Sequence, residues 1–299
     1  MLCTPVFPGG RGGRKNPSIC ESACYTSRNK SGNSRNNRGA IIFCSIEDRP
    51  VVESPFPHIV LDQAFEPAVF DALREQFPTA EYFEKSHRIM DGRYNLMRGN
   101  PLLDTFLDES DAWNKAFEHM NSDEFALGLA EAFRPEIEEN ADALDPGQFD
   151  FVDWYEPPRA ESTIEVVEPP PLPKNVSENS LFLNLDIARA EQGYNRGPHT
   201  DARHKVAVML VFFTDHDPAE GGQFRLYDYH GDDDPPPRSA PLDQVTIARE
   251  IRPRPNKGIL FPNSPTAYHA VTEFQRTYGL REFLYASVAS VACEDVWAS

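Results

Sequence analysis

Residues 193–213 read GYNRGPHTDARHKVAVMLVFF. A turn-rich lead-in (Gly193, Asn195, Gly197, Pro198) runs into His199-Thr200-Asp201, and β-favouring residues from Val206 to Phe213 follow. Along an extended segment, side chains i and i+2 point to the same side. The imidazole of His199 and the carboxylate of Asp201 can therefore converge on one point. Two such groups do not close a metal site, so a third has to come from elsewhere. His269, in Asn263-Ser264-Pro265-Thr266-Ala267-Tyr268-His269-Ala270-Val271, is the candidate, seventy residues after His199 and also in a strand context.

Two imidazoles and one carboxylate with open positions are the donor set of a non-haem Fe(II) facial triad. An H-x-D triplet alone arises by chance in many chains, and the second strand-borne histidine adds weight. Arg281 adds more. It lies twelve residues after His269 and opens Arg281-Glu282-Phe283-Leu284-Tyr285-Ala286-Ser287-Val288. If residues 268–272 and 282–289 are neighbouring antiparallel strands joined by the turn around Gly279, Arg281 reaches the same cavity. A guanidinium there can grip a carboxylate through two parallel hydrogen bonds, which suggests a dicarboxylate co-substrate. Arg276, in the polar turn, is the alternative clamp.

The bulk numbers are compatible with such a site. The 299 residues can bury a sizeable core in one large or two modest domains. Net charge is −18, unevenly spread: residues 1–45 carry seven Lys/Arg and one Glu, and the remainder carries 22 Lys/Arg against 46 Asp/Glu. An acidic body is a poor match for a phosphate backbone, so no nucleic-acid partner is expected. No apolar run approaches the roughly 18 residues of a membrane span, and no membrane partner is expected. Four of the five cysteines (Cys3, Cys20, Cys24, Cys44) fall in the first 44 residues, with only Cys293 in the body. That distribution is no disulfide framework for the folded part. Cys20-x3-Cys24 has no histidine near it to complete a zinc site.

Residues 1–45, rich in Ser, Asn, Gly and Arg, are expected to form a disordered tail. Their composition overlaps that of organellar transit peptides, but the expected location is cytoplasmic. A single domain is expected over 46–299. Pro55–Leu61 reads as a strand. Pro67 suits the first turn of a helix carrying Val69, Phe70, Leu73 and Phe77 on one face. Ser110 and Ser122 are expected to cap two more helices, the first with Trp113, Ala116, Phe117 and Met120, the second with Phe125, Leu129, Ala132 and Phe133, ended by Pro135. This helical support (62–140) is expected to buttress a sheet. His58, His87 and His119 are read as non-ligands, and His204 and His216, in polar turns, as solvent-facing. Residues 156–179 are a Pro-rich loop. Strands are expected at 181–187, 206–213, 223–229, 245–251, 258–261, 268–272 and 282–289, with an acidic Pro-rich excursion at 230–239. The fold class is α+β, mainly β, with a jelly-roll core over 180–290.

The sequence here resembles the 2-oxoglutarate/Fe(II)-dependent dioxygenase superfamily, in its prolyl 4-hydroxylase-like branch. The resemblance covers 180–290 and rests on Gly193-Tyr194, Pro198-His199-Thr200-Asp201, Gly221-Gly222-Gln223-Phe224-Arg225-Leu226-Tyr227, Asn256-Lys257-Gly258-Ile259-Leu260-Phe261, Tyr268-His269-Ala270-Val271 and Gly279-Leu280-Arg281. It implies a double-stranded β-helix, Fe(II) on His199, Asp201 and His269, and Arg281 against the distal carboxylate of 2-oxoglutarate. With O2 as second co-substrate, and ascorbate as an optional reductant, a substrate C–H bond would be hydroxylated and succinate and CO2 released. Asp201 favours hydroxylation, since halogenating relatives lack that carboxylate. Many relatives carry a Ser two residues after the Arg, and here that residue is Phe283. An aromatic residue often precedes the first His by about ten positions, and here that residue is Arg189. Tyr194 and Asn184 are the alternative co-substrate contacts. The resemblance leaves the substrate open between peptidyl proline and a small metabolite, and is compatible with a homodimer. Two other readings are a non-redox metal-binding jelly roll (cupin-like or a zinc hydrolase) and an inactive oxygenase fold used as a binding module. The first leaves Arg281 unexplained, and no residue favours the second.

Overall fold

The computed structural model describes residues 49–84, 87–90, 92–157, 167–275 and 279–297. The N-terminal segment 1–45 with its four cysteines, Arg276 and part of the Pro-rich loop (158–166) lie outside the described residues. A short strand, β1 (Ile59–Leu61), leads into α1 (Pro67–Glu75) and α2 (Ala80–Glu84), followed by β2 (His87–Met90) and β3 (Arg93–Met97). Four helices come next: α3 (Pro101–Glu109), α4 (Asp111–Met120), α5 (Asp123–Glu131) and α6 (Arg134–Asn140). The remaining elements are strands: β4 (Asp150–Phe151), β5 (Ser180–Ala190), β6 (Arg196–His199), β7 (Lys205–Phe212), β8 (Phe224–Tyr229), β9 (Val245–Ile251), β10 (Gly258–Pro262), β11 (His269–Val271) and β12 (Arg281–Ser290).

They form two sheets. The larger runs β1-β10-β7-β12-β5-β3-β2, with β4 alongside β5, and the smaller runs β6-β11-β8-β9. This mainly β architecture with helices on one flank is the expected jelly roll. Period-two alternation decides what each face of the large sheet buries. Leu181, Leu183, Leu185 and Ile187 of β5 and Leu284, Ala286 and Val288 of β12 share one core with the helices. Ala188 and Ala190 of β5 and Phe283 and Tyr285 of β12 belong to a second core with Phe224 and Leu226 of the smaller sheet. The site lies in that second layer.

The helices form as their sequences dictate. The Ser110 hydroxyl accepts from Trp113 N at 3.3 Å and the Ser122 hydroxyl from Phe125 N at 3.2 Å, so both act as N-caps. Trp113, fully buried, packs 5.4 Å from Phe213 and donates its indole N–H to Leu73 O at 2.9 Å. Phe213 also meets Phe70 at 5.0 Å and Phe77 at 5.1 Å, which fastens α1 and α4 to the end of β7.

Three expectations are corrected. The segment 62–140 is not all helical, because β2 and β3 extend the large sheet beyond β5. Pro135 does not simply end a helix: it sits in the first turn of α6, where its missing N–H costs nothing. Residues 268–272 and 282–289 are not neighbouring strands. β11 pairs with β6 and β8, whereas β12 lies in the other sheet between β5 and β7. No helix among the described residues is long and apolar enough to cross a membrane.

Asn256, just before β10, ties the turn between β1 and α1 to the jelly roll. It is the non-glycine residue with a left-handed backbone (φ 65°) among the described residues. Its side chain accepts from Ala64 N (3.1 Å) and Phe65 N (2.8 Å) and donates to Phe65 O (2.9 Å). Asn256→Ala removes three buried hydrogen bonds and adds left-handed strain, so urea unfolding is expected to show a loss of about 3–4 kcal/mol. Asn256→Gly relieves the strain alone and is expected to recover about 1 kcal/mol of that loss. Equal stability of Asn256→Ala and the parent would contradict this account.

Candidate active site

β6 and β11 pair so that His269 lies directly opposite His199. The ring centroids are 4.4 Å apart. Two residues beyond His199 the chain leaves the strand at Asp201, whose backbone N–H donates to Asn263 Oδ1 at 2.8 Å. Asn263 Nδ2 in turn donates to Ala202 O at 2.8 Å, which fixes the turn that carries Asp201. The nearest donor atoms of His199, Asp201 and His269 all lie within 4.8 Å of one another, so these three could hold a metal ion.

The imidazoles are prepared for that role. Nδ1 of His199 donates to Gly197 O at 2.9 Å, and Nδ1 of His269 donates to Ala267 O at 3.1 Å. Each ring therefore keeps its proton on Nδ1 and leaves an Nε2 lone pair, the arrangement that backbone carbonyls impose on metal-binding histidines. Burial, followed by the neighbouring His269, holds His199 down at about 3. Burial also lowers His269. Both rings are thus neutral near pH 7. Burial opposes charge on Asp201, but Lys205, His269, His199 and the Tyr285 hydroxyl together outweigh it, and the carboxyl sits well below the usual range. Neutral imidazoles and an ionised carboxylate are the protonation states a divalent metal requires.

Arg281 comes to this layer from the opposite sheet. As the first residue of β12 it faces inward together with Phe283 and Tyr285. Its guanidinium is 1 % exposed and lies over the rings of Phe283 (4.6 Å) and Phe212 (5.3 Å). Nε donates to Gly222 O at 3.2 Å, while Nη1 and Nη2 have no hydrogen-bond partner among the described residues. Burial and the like charge of Arg93 lower it to about 10, partly offset by Tyr194, so it stays cationic near pH 7. A buried guanidinium with both terminal nitrogens unpaired is costly unless an anion fills the fork. A carboxylate fits. The turn beneath it demands glycine: a Cβ on Gly221 would fall 1.7 Å from Glu273 O, and Gly221 and Gly222 both have φ of 75°.

The other expected residues divide. Tyr194 is buried, bonds through its side chain to Arg93, and is a partner in the electrostatics of Arg281, so the structure brings it to the clamp. Asn184 faces inward but accepts from Glu156 N at 3.3 Å, and it pairs with Ser287 whereas Arg281 pairs with Ala190. Six residues of strand, roughly 20 Å, separate it from the clamp. Arg189 points to the helix side, bonded to Glu282 at 2.8 Å and stacked on Phe83. His58 is a fully buried packing residue, its Nε2 2.7 Å from Arg249. His216 is buried, contrary to the solvent-facing expectation, because it packs edge-on against Phe274 and pairs with Thr214.

Sequence reasoning missed part of the inner face. Arg93 lies over Phe283 and Tyr285 and donates to Asn95 Oδ1 at 3.0 Å, and Asn95 Nδ2 donates to Asp186 Oδ2 at 2.5 Å. Burial raises Asp186, and its Oδ1 has no partner among the described residues. The signal available was the period-two alternation of Arg93, Asn95 and Met97, within a segment read as helical support. The 230–239 excursion is tied to the segment that carries Asp201 and to Tyr268. Thr200 N donates to Arg238 O at 2.9 Å, Arg238 Nε donates to Asp201 O at 3.2 Å, and the Tyr268 hydroxyl donates to Pro237 O.

Residues 185–282 match the sequence profile of the 2OG-Fe(II) oxygenase superfamily. No curated protein sequence matches the chain. Similar solved structures include a prolyl 4-hydroxylase from Phytophthora capsici, at 11 % identity and TM-score 0.44 over 80 % of this chain and 60 % of that one. A Pseudomonas putida prolyl-4-hydroxylase matches at 11 % identity and TM-score 0.42, over 78 % and 92 %. A Trichoplax adhaerens prolyl hydroxylase, solved with a hypoxia inducible factor peptide, matches at 10 % and 0.39, over 78 % and 83 %. The stretch from β5 into β12, which carries His199, Asp201, His269 and Arg281, is thus similar to the 2OG-Fe(II) oxygenase superfamily.

Proposed function

We propose that this chain is an Fe(II)- and 2-oxoglutarate-dependent dioxygenase that hydroxylates a C–H bond of a peptide or small-molecule substrate. The observation that carries the reading is one inner layer holding both a neutral-His, neutral-His, carboxylate set and a buried guanidinium with an empty fork. The first suits Fe(II), and the second suits the distal carboxylate of 2-oxoglutarate. The bound metal would let O2 act as the four-electron oxidant: one oxygen atom would enter the substrate C–H bond, and the other would enter the succinate formed, with CO2, by two-electron oxidative decarboxylation of 2-oxoglutarate.

The residues supply position and dryness. His199, Asp201 and His269 would hold the metal. Arg281 would bind the distal carboxylate of the co-substrate, with Tyr194 and Arg93 beside it. Phe224 and Phe261 pack against His269 at 5.4 and 4.9 Å, so that side of the site excludes water. Exclusion of water strengthens each charge contact within. The strap 236–239, bonded to Thr200, Asp201 and Arg203, is placed to border the substrate mouth. A non-redox metal jelly roll would have no use for the empty fork of Arg281.

Two outcomes test the reading. In full-length protein, His199→Ala, Asp201→Ala and His269→Ala are each expected to weaken Fe(II) binding by at least about 100-fold and to abolish O2-dependent succinate release from 2-oxoglutarate. Normal turnover in any one of them removes that residue from the triad. Arg281→Ala is expected to retain Fe(II) and lose about 100-fold in 2-oxoglutarate affinity by titration calorimetry, since a buried two-point ion pair is lost. Unchanged affinity would rule out the clamp.

A further inference from the structure

Asp201 has two carboxylate oxygens, and the structure treats them differently. Oδ1 lies 3.9 Å from His199 Nε2, toward the triad. Oδ2 accepts from the Tyr285 hydroxyl at 2.5 Å and lies 3.8 Å from Lys205 Nζ. Lys205 Nζ also donates to the Tyr285 oxygen at 2.6 Å, and it lies 4.7 Å from the centre of that ring. The result is a chain, ammonium to phenol to carboxylate, in which every donor and acceptor is oriented. The phenol oxygen accepts from Lys205, which leaves its O–H to donate to Asp201.

We propose that Tyr285 and Lys205 are positioning residues that confine Asp201 to the metal through Oδ1 alone; the inference rests on the metal reading above. A carboxylate left to itself can bind a divalent ion through both oxygens. Here that would occupy a second position and take one from the co-substrate or O2. An O–H donor at hydrogen-bond distance, backed by a cation, engages the Oδ2 lone pairs and keeps that oxygen off the metal. The two holders come from adjacent strands of the large sheet, β12 and β7. Tyr285 lies four residues after Arg281 on the inner face of the same strand. One strand thus positions both the co-substrate clamp and the oxygen that must stay off the metal. Neither the H-x-D triplet nor the sequence around Arg281 shows this link.

The test uses full-length protein under anaerobic conditions, with Mn(II) and Fe(II) as metals and 2-oxoglutarate as ligand. Tyr285→Phe keeps the ring and removes the donor. It is expected to bind Mn(II) about 10-fold more weakly, the lower end of the effect of removing such an outer partner. Its Fe(II) form is expected to bind 2-oxoglutarate several-fold more weakly, with a diminished visible charge-transfer band on chelation. Lys205 acts both through the phenol and by its own charge 3.8 Å from Oδ2, so Lys205→Met is expected to act in the same direction and to have a smaller, not absent, effect in the Tyr285→Phe background. If Tyr285→Phe binds both metal and 2-oxoglutarate within twofold of the parent with an unchanged band, the positioning role is overturned. Additive effects of the two substitutions would overturn the chain from Lys205 through Tyr285. Failure of the parent protein itself to bind Fe(II) or Mn(II) would instead overturn the dioxygenase reading.

Discussion

Strand β12 is hydrogen-bonded on both edges, to β5 and to β7, and its side chains alternate between two unlike environments. Leu284, Ala286 and Val288 face the helices, and Arg281, Phe283, Tyr285 and Ser287 face the inner layer. A slip of one residue would send the apolar set inward and drive a guanidinium into the helix-packed core. The helices on that outer flank therefore have a role beyond bulk stability. By demanding Leu284, Ala286 and Val288, they fix the register that aims Arg281 and Tyr285 at the site. The same logic holds across the gap, where the pairing of β6 with β11 places His269 opposite His199.

Much of this was legible in the sequence because strands have a simple period. The strands from β5 to β12 fall close to the segments expected from alternation and turn residues, and the triad is legible because i and i+2 share a face. Arg281 was expected on the inner layer through a hairpin with β11, whereas β12 brings it to that layer from the opposite sheet. Sequence separation does not distinguish a neighbour within a sheet from a neighbour across it. His216 shows the converse limit. Its neighbours in sequence are polar, but its burial is decided by Phe274, far along the chain. Arg93 and Asn95 were missed because a five-residue strand between helices carries too little pattern to stand out. The link from Tyr285 to Asp201 joins residues 84 apart, and nothing local announces it.

The charges on the inner face make a last argument about what the fold is built to hold. Arg281, Arg93 and Lys205 approach from the large sheet, and Asp186 and Asp201 answer them. Isolated buried charges cost several kcal/mol each, and a fold keeps them only when they are paired or have a ligand to meet. Arg93 is shared between Asn95, Tyr194 and Asp186, and Lys205 between Tyr285 and Asp201, so these two cations are satisfied within the protein. Arg281 is different: its one hydrogen bond goes to a backbone carbonyl, and aromatic faces cover the rest. Stacking compensates only part of the lost hydration. The satisfied cations shape the walls, and the unsatisfied one marks where a negative group must come from outside. Its strand also carries Tyr285, so on the proposed reading one rigid element would aim the co-substrate clamp and hold Oδ2 of Asp201, while the ligands themselves come from the smaller sheet.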